Sequence, residues 1–165
     1  MDVNFFYNDD DDCLETLTAL RTDPRSRTVA ASRHTWWRAA IARNGLSDVV
    51  LWTGWKSDVR PYLAAADLLL HTAEYEGLPF ALIEAMSMGV PCAISRSVAS
   101  ELPFLNTQNA IFYDDSGRLQ YFICHPQALK EIGEAARVLV SERFSDHAMA
   151  ASYEKLYTGL MESGG

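Results

Sequence analysis

A chain of 165 residues with 48% hydrophobic content has the material for one globular domain with its own core, which excludes an intrinsically disordered polypeptide. Its 22 acidic against 14 basic side chains give a formal net charge of -8, which argues against nucleic acid or an anionic membrane surface as partner. Cys13, Cys92 and Cys124 are odd in number and lack CxxC spacing, so reduced thiols in a cytoplasmic setting are expected, and no zinc site.

No apolar run is long enough for a membrane-spanning helix, and the opening MDVNFFYNDDDD has neither the basic segment nor the hydrophobic core of a signal. Residues 3–7 read as a strand, and 11–21 as a helix with acids in its first turn, where the helix dipole favours them. The aspartates Asp9 to Asp12 also contain a D-x-D metal pattern, but four consecutive aspartates produce that by composition, and helix capping explains them as well. Residues 27–31 read as a strand and 35–45 as a helix closed by Asn44-Gly45. Adjacent Trp36 and Trp37 cannot share one face of that helix. A strand at 49–54, a short helix at 58–66 and a buried strand at 67–72 follow. Next come a helix from Pro79 to Met88 closed by Gly89, a strand at 91–95, a turn of helix at 100–105 and a strand at 110–114. The remainder is helical, at 117–123, 126–144 and 146–162. In the last of these Tyr153, Leu156, Tyr157 and Leu160 form a stripe at helical spacing, suited to packing on the chain's own sheet or to docking against another domain.

Strands that are apolar throughout, alternating with helices, predict a Rossmann-like doubly wound α/β domain, one parallel sheet covered on both faces, over residues 1–165. Ligands of such folds bind at the carboxyl ends of the strands. The loop holding Glu76 follows the strand at 67–72 and so belongs to that edge.

The segment EYEGLPFALIEAMSMGVP, residues 74–91, concentrates the chemistry. Pro79 suits a first helical position, and Gly77 before it permits a tight turn and close approach of a ligand. The amides of Leu78, Phe80 and Ala81 then point outward at a helix start, a ready seat for phosphate. Glu76 and Glu84 flank that seat, and carboxylates accept hydrogen bonds from the paired hydroxyls of sugars. One glutamate for each sugar ring, with amides for the pyrophosphate between, describes a nucleotide-sugar ligand. Alternatively both are solvated carboxylates favoured by the dipole.

E-G-x-P, L-I-E-A-M and G-x-P, in register within residues 76–91, resemble the E-x7-E signature of retaining glycosyltransferases of the GT-B fold, family 4 type. The similarity runs through residues 45–95 and resumes at 134–157 in what looks like the family's C-terminal helices. The resemblance implies a C-terminal, donor-binding half of a GT-B enzyme, with the N-terminal acceptor domain absent and any peripheral contact with a membrane made through that other half. It implies that Glu84 binds the ribose hydroxyls, Glu76 the donor sugar, the amides around Gly77, Leu78, Pro79 and Phe80 the diphosphate, and the segment from Gly54 through Trp55 to Lys56 the base. It implies no metal and no cofactor beyond the nucleotide diphosphate sugar donor, and a context of polysaccharide synthesis. One departure stands out. The family places an Arg and a Lys on the loop after the first strand, whereas YNDDDDCLE, residues 7–15, has neither. Arg33, at the end of the second strand, is the candidate substitute cation. The absent cations favour an alternative, a non-catalytic domain that keeps the fold to bind a nucleotide sugar or a protein.

Overall fold

The structure is a computed structural model and describes residues 2–6, 27–30, 35–53, 55–73 and 75–163. The expected helix at 11–21, the aspartate run, Arg33 and Gly54 lie outside the described residues. In chain order the elements are β1 (Asp2–Phe6), β2 (Arg27–Ala30), α1 (Thr35–Arg43), β3 (Val50–Trp52), α2 (Arg60–Ala65), β4 (Leu68–His71), α3 (Phe80–Ser87), β5 (Cys92–Ile94), α4 (Arg96–Glu101), β6 (Ile111–Phe112), α5 (Ser116–Cys124), α6 (Pro126–Arg143) and α7 (Asp146–Ser163).

The strands form one sheet in the order β3-β2-β1-β4-β5-β6. Every pairing is parallel. This is the strand order of a dinucleotide-binding fold, with its reversal between β1 and β4. The run Leu68, Leu69, Leu70 shows why the strands are apolar at every position. Leu68 and Leu70 enter one core with Ala93, Ile111 and Phe122. Leu69 points the other way and packs with Leu82, Met86, Cys92 and Ile94. Both faces are covered, so the period-two alternation of a half-exposed strand is absent. Full burial of each leucine is worth roughly 2 kcal/mol, which anchors β4 and with it the backbone of His71 at its end.

One helix sits earlier than expected. The turn predicted at 100–105 is found as α4, at Arg96–Glu101. Ser95 caps it, its Oγ accepting from the Val98 amide at 3.2 Å. Pro103 restricts Leu102 to an extended conformation, so the helix ends before the proline rather than running through it.

α6 closes the molecule. It gives Leu129 and Ile132 to one core and Ala136 and Val140 to the other. It passes so close to the turn between α3 and β5 that a Cβ on Gly133 would stand 2.2 Å from the Gly89 carbonyl oxygen and 3.1 Å from Pro91. Gly89 itself has φ +74° and ends α3 as a left-handed residue. The contact lies just before β5, at its amino end. α7 packs differently: Tyr153, Leu156, Tyr157 and Leu160 are all exposed, so its stripe does not pack on the sheet.

Candidate nucleotide-sugar site

The site forms where the strand order reverses. The backbone of β4 is paired with β1 on one side and β5 on the other, His71 opposite Phe6 and Ile94. Thr72 and Ala73 continue buried beyond the strand. The Ser95 hydroxyl that caps α4 also donates to the Ala73 carbonyl at 3.4 Å, tying the exit of β4 to the exit of β5. The loop that follows is therefore held at its root.

At the far end of the loop Pro79 is buried and has φ -76° and ψ 97°. It is the residue before the helix, and Phe80 is the first helical one, a shift of one from the sequence expectation. The extended ψ explains the shift: the Pro79 carbonyl already accepts from the Leu82 and Ile83 amides at 3.1 Å, the role of a cap. Among the described residues no acceptor meets the amides of Gly77, Leu78, Phe80 or Ala81. A helix start leaves such amides without an acceptor in the helix itself. Gly77 does not have positive φ, so the turn does not require glycine for its conformation. A Cβ there would meet nothing within 4 Å, which leaves space beside the open amides. Leu78 and Phe80 are both exposed beside it.

The two glutamates occupy different surroundings. Glu76 is part-exposed, and its Oε1 lies 3.3 Å from Nε2 of the buried His71. Burial pushes the His71 imidazole below its ordinary value, and the Glu76 carboxylate offsets part of that. Glu84 is exposed on α3. It lines a cavity of about 420 Å³ together with Ser57, Asp58, Val59, Arg60, Leu63, Ser87 and Met88. A volume of this size falls in the range of small-molecule sites. On its rim Asp58 accepts from the Arg60 amide at 3.0 Å and from its guanidinium at 2.8 Å twice. Those bonds hold the Asp58 carboxyl down at about 2.

Of the residues singled out in the sequence, Glu76, Gly77, Leu78 and Pro79 thus form one continuous loop that Phe80 joins to the helix, and Glu84 faces the cavity behind it. Trp55 and Lys56 stand just before the segment that lines the cavity. Trp55 is exposed, and Lys56 Nζ lies 5.8 Å from the centre of the Tyr62 ring. Ser57, Asp58, Arg60, Ser87 and Met88 were not legible as lining, because their approach to Glu84 depends on how α2 packs beside α3. No group of three or more metal-ligating side chains occurs among the described residues. Nor is any described helix long and apolar enough to cross a membrane.

The model of the family described as "Glycosyl transferases group 1" matches residues 11–142. N-acetyl-alpha-D-glucosaminyl L-malate synthase of Bacillus anthracis is 32% identical over 127 residues, 70% of this chain and 32% of that protein. A lipopolysaccharide 1,6-galactosyltransferase of Salmonella typhimurium is 40% identical over 55 residues, 31% of this chain and 15% of that one. The chain therefore spans a third or less of the length of these sequence relatives. Among solved structures, Anabaena HepE in complex with UDP-glucose matches 96% of this chain and 48% of its own, with TM-score 0.78 and 17% identity. The C-terminal domain of a glycosyl transferase group 1 family protein from Francisella tularensis matches 88% of this chain and 86% of its own, with TM-score 0.71 and 15% identity. The fold is that of a GT-B glycosyltransferase half, as the sequence predicts. Since the family match spans most of its length, the chain belongs to the group 1 glycosyltransferases.

Proposed function

We propose that the chain is the donor-binding half of a retaining glycosyltransferase that uses a nucleotide diphosphate sugar. The observation that carries the reading is the open helix start at Gly77–Ala81, set between Glu76 and the Glu84 cavity at the reversal point of the sheet. The amides of Leu78, Phe80 and Ala81 would hold the diphosphate. Glu84 would take the ribose hydroxyls from the cavity side, and Glu76 the hydroxyls of the donor sugar. The base would lie along the segment from Trp55 to Arg60, with Arg33 the candidate for the missing cation. UDP and UDP-glucose complexes of HepE, on the same fold, support the ligand class.

In the reaction the bond from the anomeric carbon to the diphosphate oxygen breaks, and the nucleoside diphosphate leaves with the electron pair. An acceptor hydroxyl oxygen then forms the new bond on the same face as its O–H bond breaks, the proton passing to the departing diphosphate oxygen. Amides fixed before the charge develops stabilise the leaving group without reorganisation. The acceptor would be held by an N-terminal half, and the exposed stripe of α7 offers an apolar face for that half. The sequence relatives act on glycolipids and small metabolites by their names, so surface polysaccharide or glycoconjugate synthesis is the context we favour.

Titration calorimetry with UDP, GDP and their glucose and mannose conjugates tests the reading. Wild-type chain should bind at least one diphosphate, and Glu84→Ala should weaken it about tenfold, the loss of one charge-assisted hydrogen bond pair. Lack of binding to all of them supports the second reading, a domain that keeps the fold as an interaction module. The cation-free residues 7–15 are what favours that alternative.

A further inference from the structure

We infer that His71 is a positioning residue for Glu76: a neutral imidazole, protonated at Nε2, that aims the carboxylate at the donor sugar. The inference rests on the nucleotide-sugar reading and specifies how one of its two carboxylates is held. His71 is only 3% exposed. It continues the run Leu68, Leu69, Leu70 on the central strand, where a further leucine would extend the core with no polar atom to satisfy. The ring is there in spite of the packing. Its Nε2 reaches Glu76 Oε1 at 3.3 Å, while Nδ1 is buried and meets no hydrogen-bond partner.

That asymmetry fixes the tautomer. A proton on Nδ1 would leave a buried donor unused and set the Nε2 lone pair against a carboxylate. A proton on Nε2 makes the one contact available and leaves Nδ1 as the milder deficit, an acceptor. A doubly protonated ring would again strand a buried donor, and burial disfavours the charge. The backbone of the histidine is fixed, paired on both sides with β1 and β5, and its ring is enclosed by the core. Glu76 by contrast sits on a loop that, among the described residues, is held by Ser95 at Ala73 and by the Pro79 cap. Without the imidazole, the carboxylate would have no described partner to choose its rotamer.

The test is calorimetry on the chain with four probes: UDP, UDP-glucose, GDP and GDP-mannose. In His71→Phe the extra affinity that the sugar gives over the bare diphosphate should fall about tenfold, to the level of Glu76→Ala, with diphosphate affinity unchanged. His71→Gln, which keeps an N–H donor, should retain most of the gain. The double variant His71→Phe with Glu76→Ala should be no worse than Glu76→Ala alone. A sugar gain that survives His71→Phe overturns the inference, as does an equal loss for diphosphate and conjugate, or a wild type for which the sugar adds nothing. Failure of the wild type to bind any of the four defeats the nucleotide-sugar reading instead. In that event the nitrogen-15 shifts of the His71 ring still decide the contact: an Nε2–H tautomer that loses its preference in Glu76→Ala supports it, and an Nδ1–H tautomer overturns it.

Discussion

At the scale of single residues, Gly77 separates binding from folding. Its backbone needs no positive φ, and a methyl group there touches nothing in the protein. Gly77→Ala should therefore leave the thermal midpoint within about 2 °C, since surface substitutions without lost contacts stay within roughly 0.5 kcal/mol. The same methyl would stand among the open amides, and diphosphate affinity should drop tenfold or more. Differential scanning fluorimetry and calorimetry on the same sample check both halves. His71 carries a pH signature. Its folded value lies below the ordinary one, so the unfolded chain takes up a proton first as pH falls below about 6.5. Stability from this group is thus present above that pH and is lost going down, by at most about 1.4 kcal/mol per pH unit. Denaturant midpoints measured from pH 7.5 to 5.5 should fall more steeply for wild type than for His71→Gln. The position of His71 at the end of a strand was legible from the sequence. Its contact with Glu76 was not, because it depends on where a loop returns five residues after β4 ends, and no local pattern encodes that return.

Elements carry the next level of the argument. α3 presents the site at its first turn and is held at its last by α6, across the contact of Gly133 with Gly89. Gly133→Ala would push a methyl into backbone atoms that cannot yield, so it should cost about 2 to 3 kcal/mol, the range of an overpacked core. Urea unfolding should show it as a lower midpoint with unchanged slope. Gly133 was unremarkable in sequence, a helix-weakening residue in an otherwise good helix; only the approach of another element explains it. Most element positions were legible because the leucine-rich strand and the glycine stops at 45 and 89 are local signals, and both glycines do adopt positive φ. The misplaced turn near Pro103 has the opposite cause. A serine cap at 95 and a proline at 103 both mark a helix boundary, and the cap set the start. Likewise the cavity joins residues 57–60 to 84–88, whose proximity is a property of packing.

For the whole molecule, the charge of -8 meets a ligand that is also an anion. Unless Arg33 supplies a cation at the diphosphate, a site built from amides has no long-range attraction to offer. Screening shortens from about 30 Å at 0.01 M salt to about 8 Å at 0.15 M. Diphosphate affinity should accordingly hold steady or rise severalfold over that interval, whereas a cationic clamp formed by Arg33 would make it fall. Titrations at the two salt concentrations give the sign directly.

The crossing of α6 beneath the sheet has a consequence for how such enzymes diversify. Gly89, Pro91 and Gly133 interlock in the floor, while on the proposed reading donor recognition falls mainly to two short rim segments, residues 55–60 and 75–81, with Glu84 behind them. Grafting those rims from another group 1 enzyme would re-address the donor while the interlocked floor stayed as it was. A single architecture could in this way be handed from one sugar to the next by exchanging little more than a dozen residues.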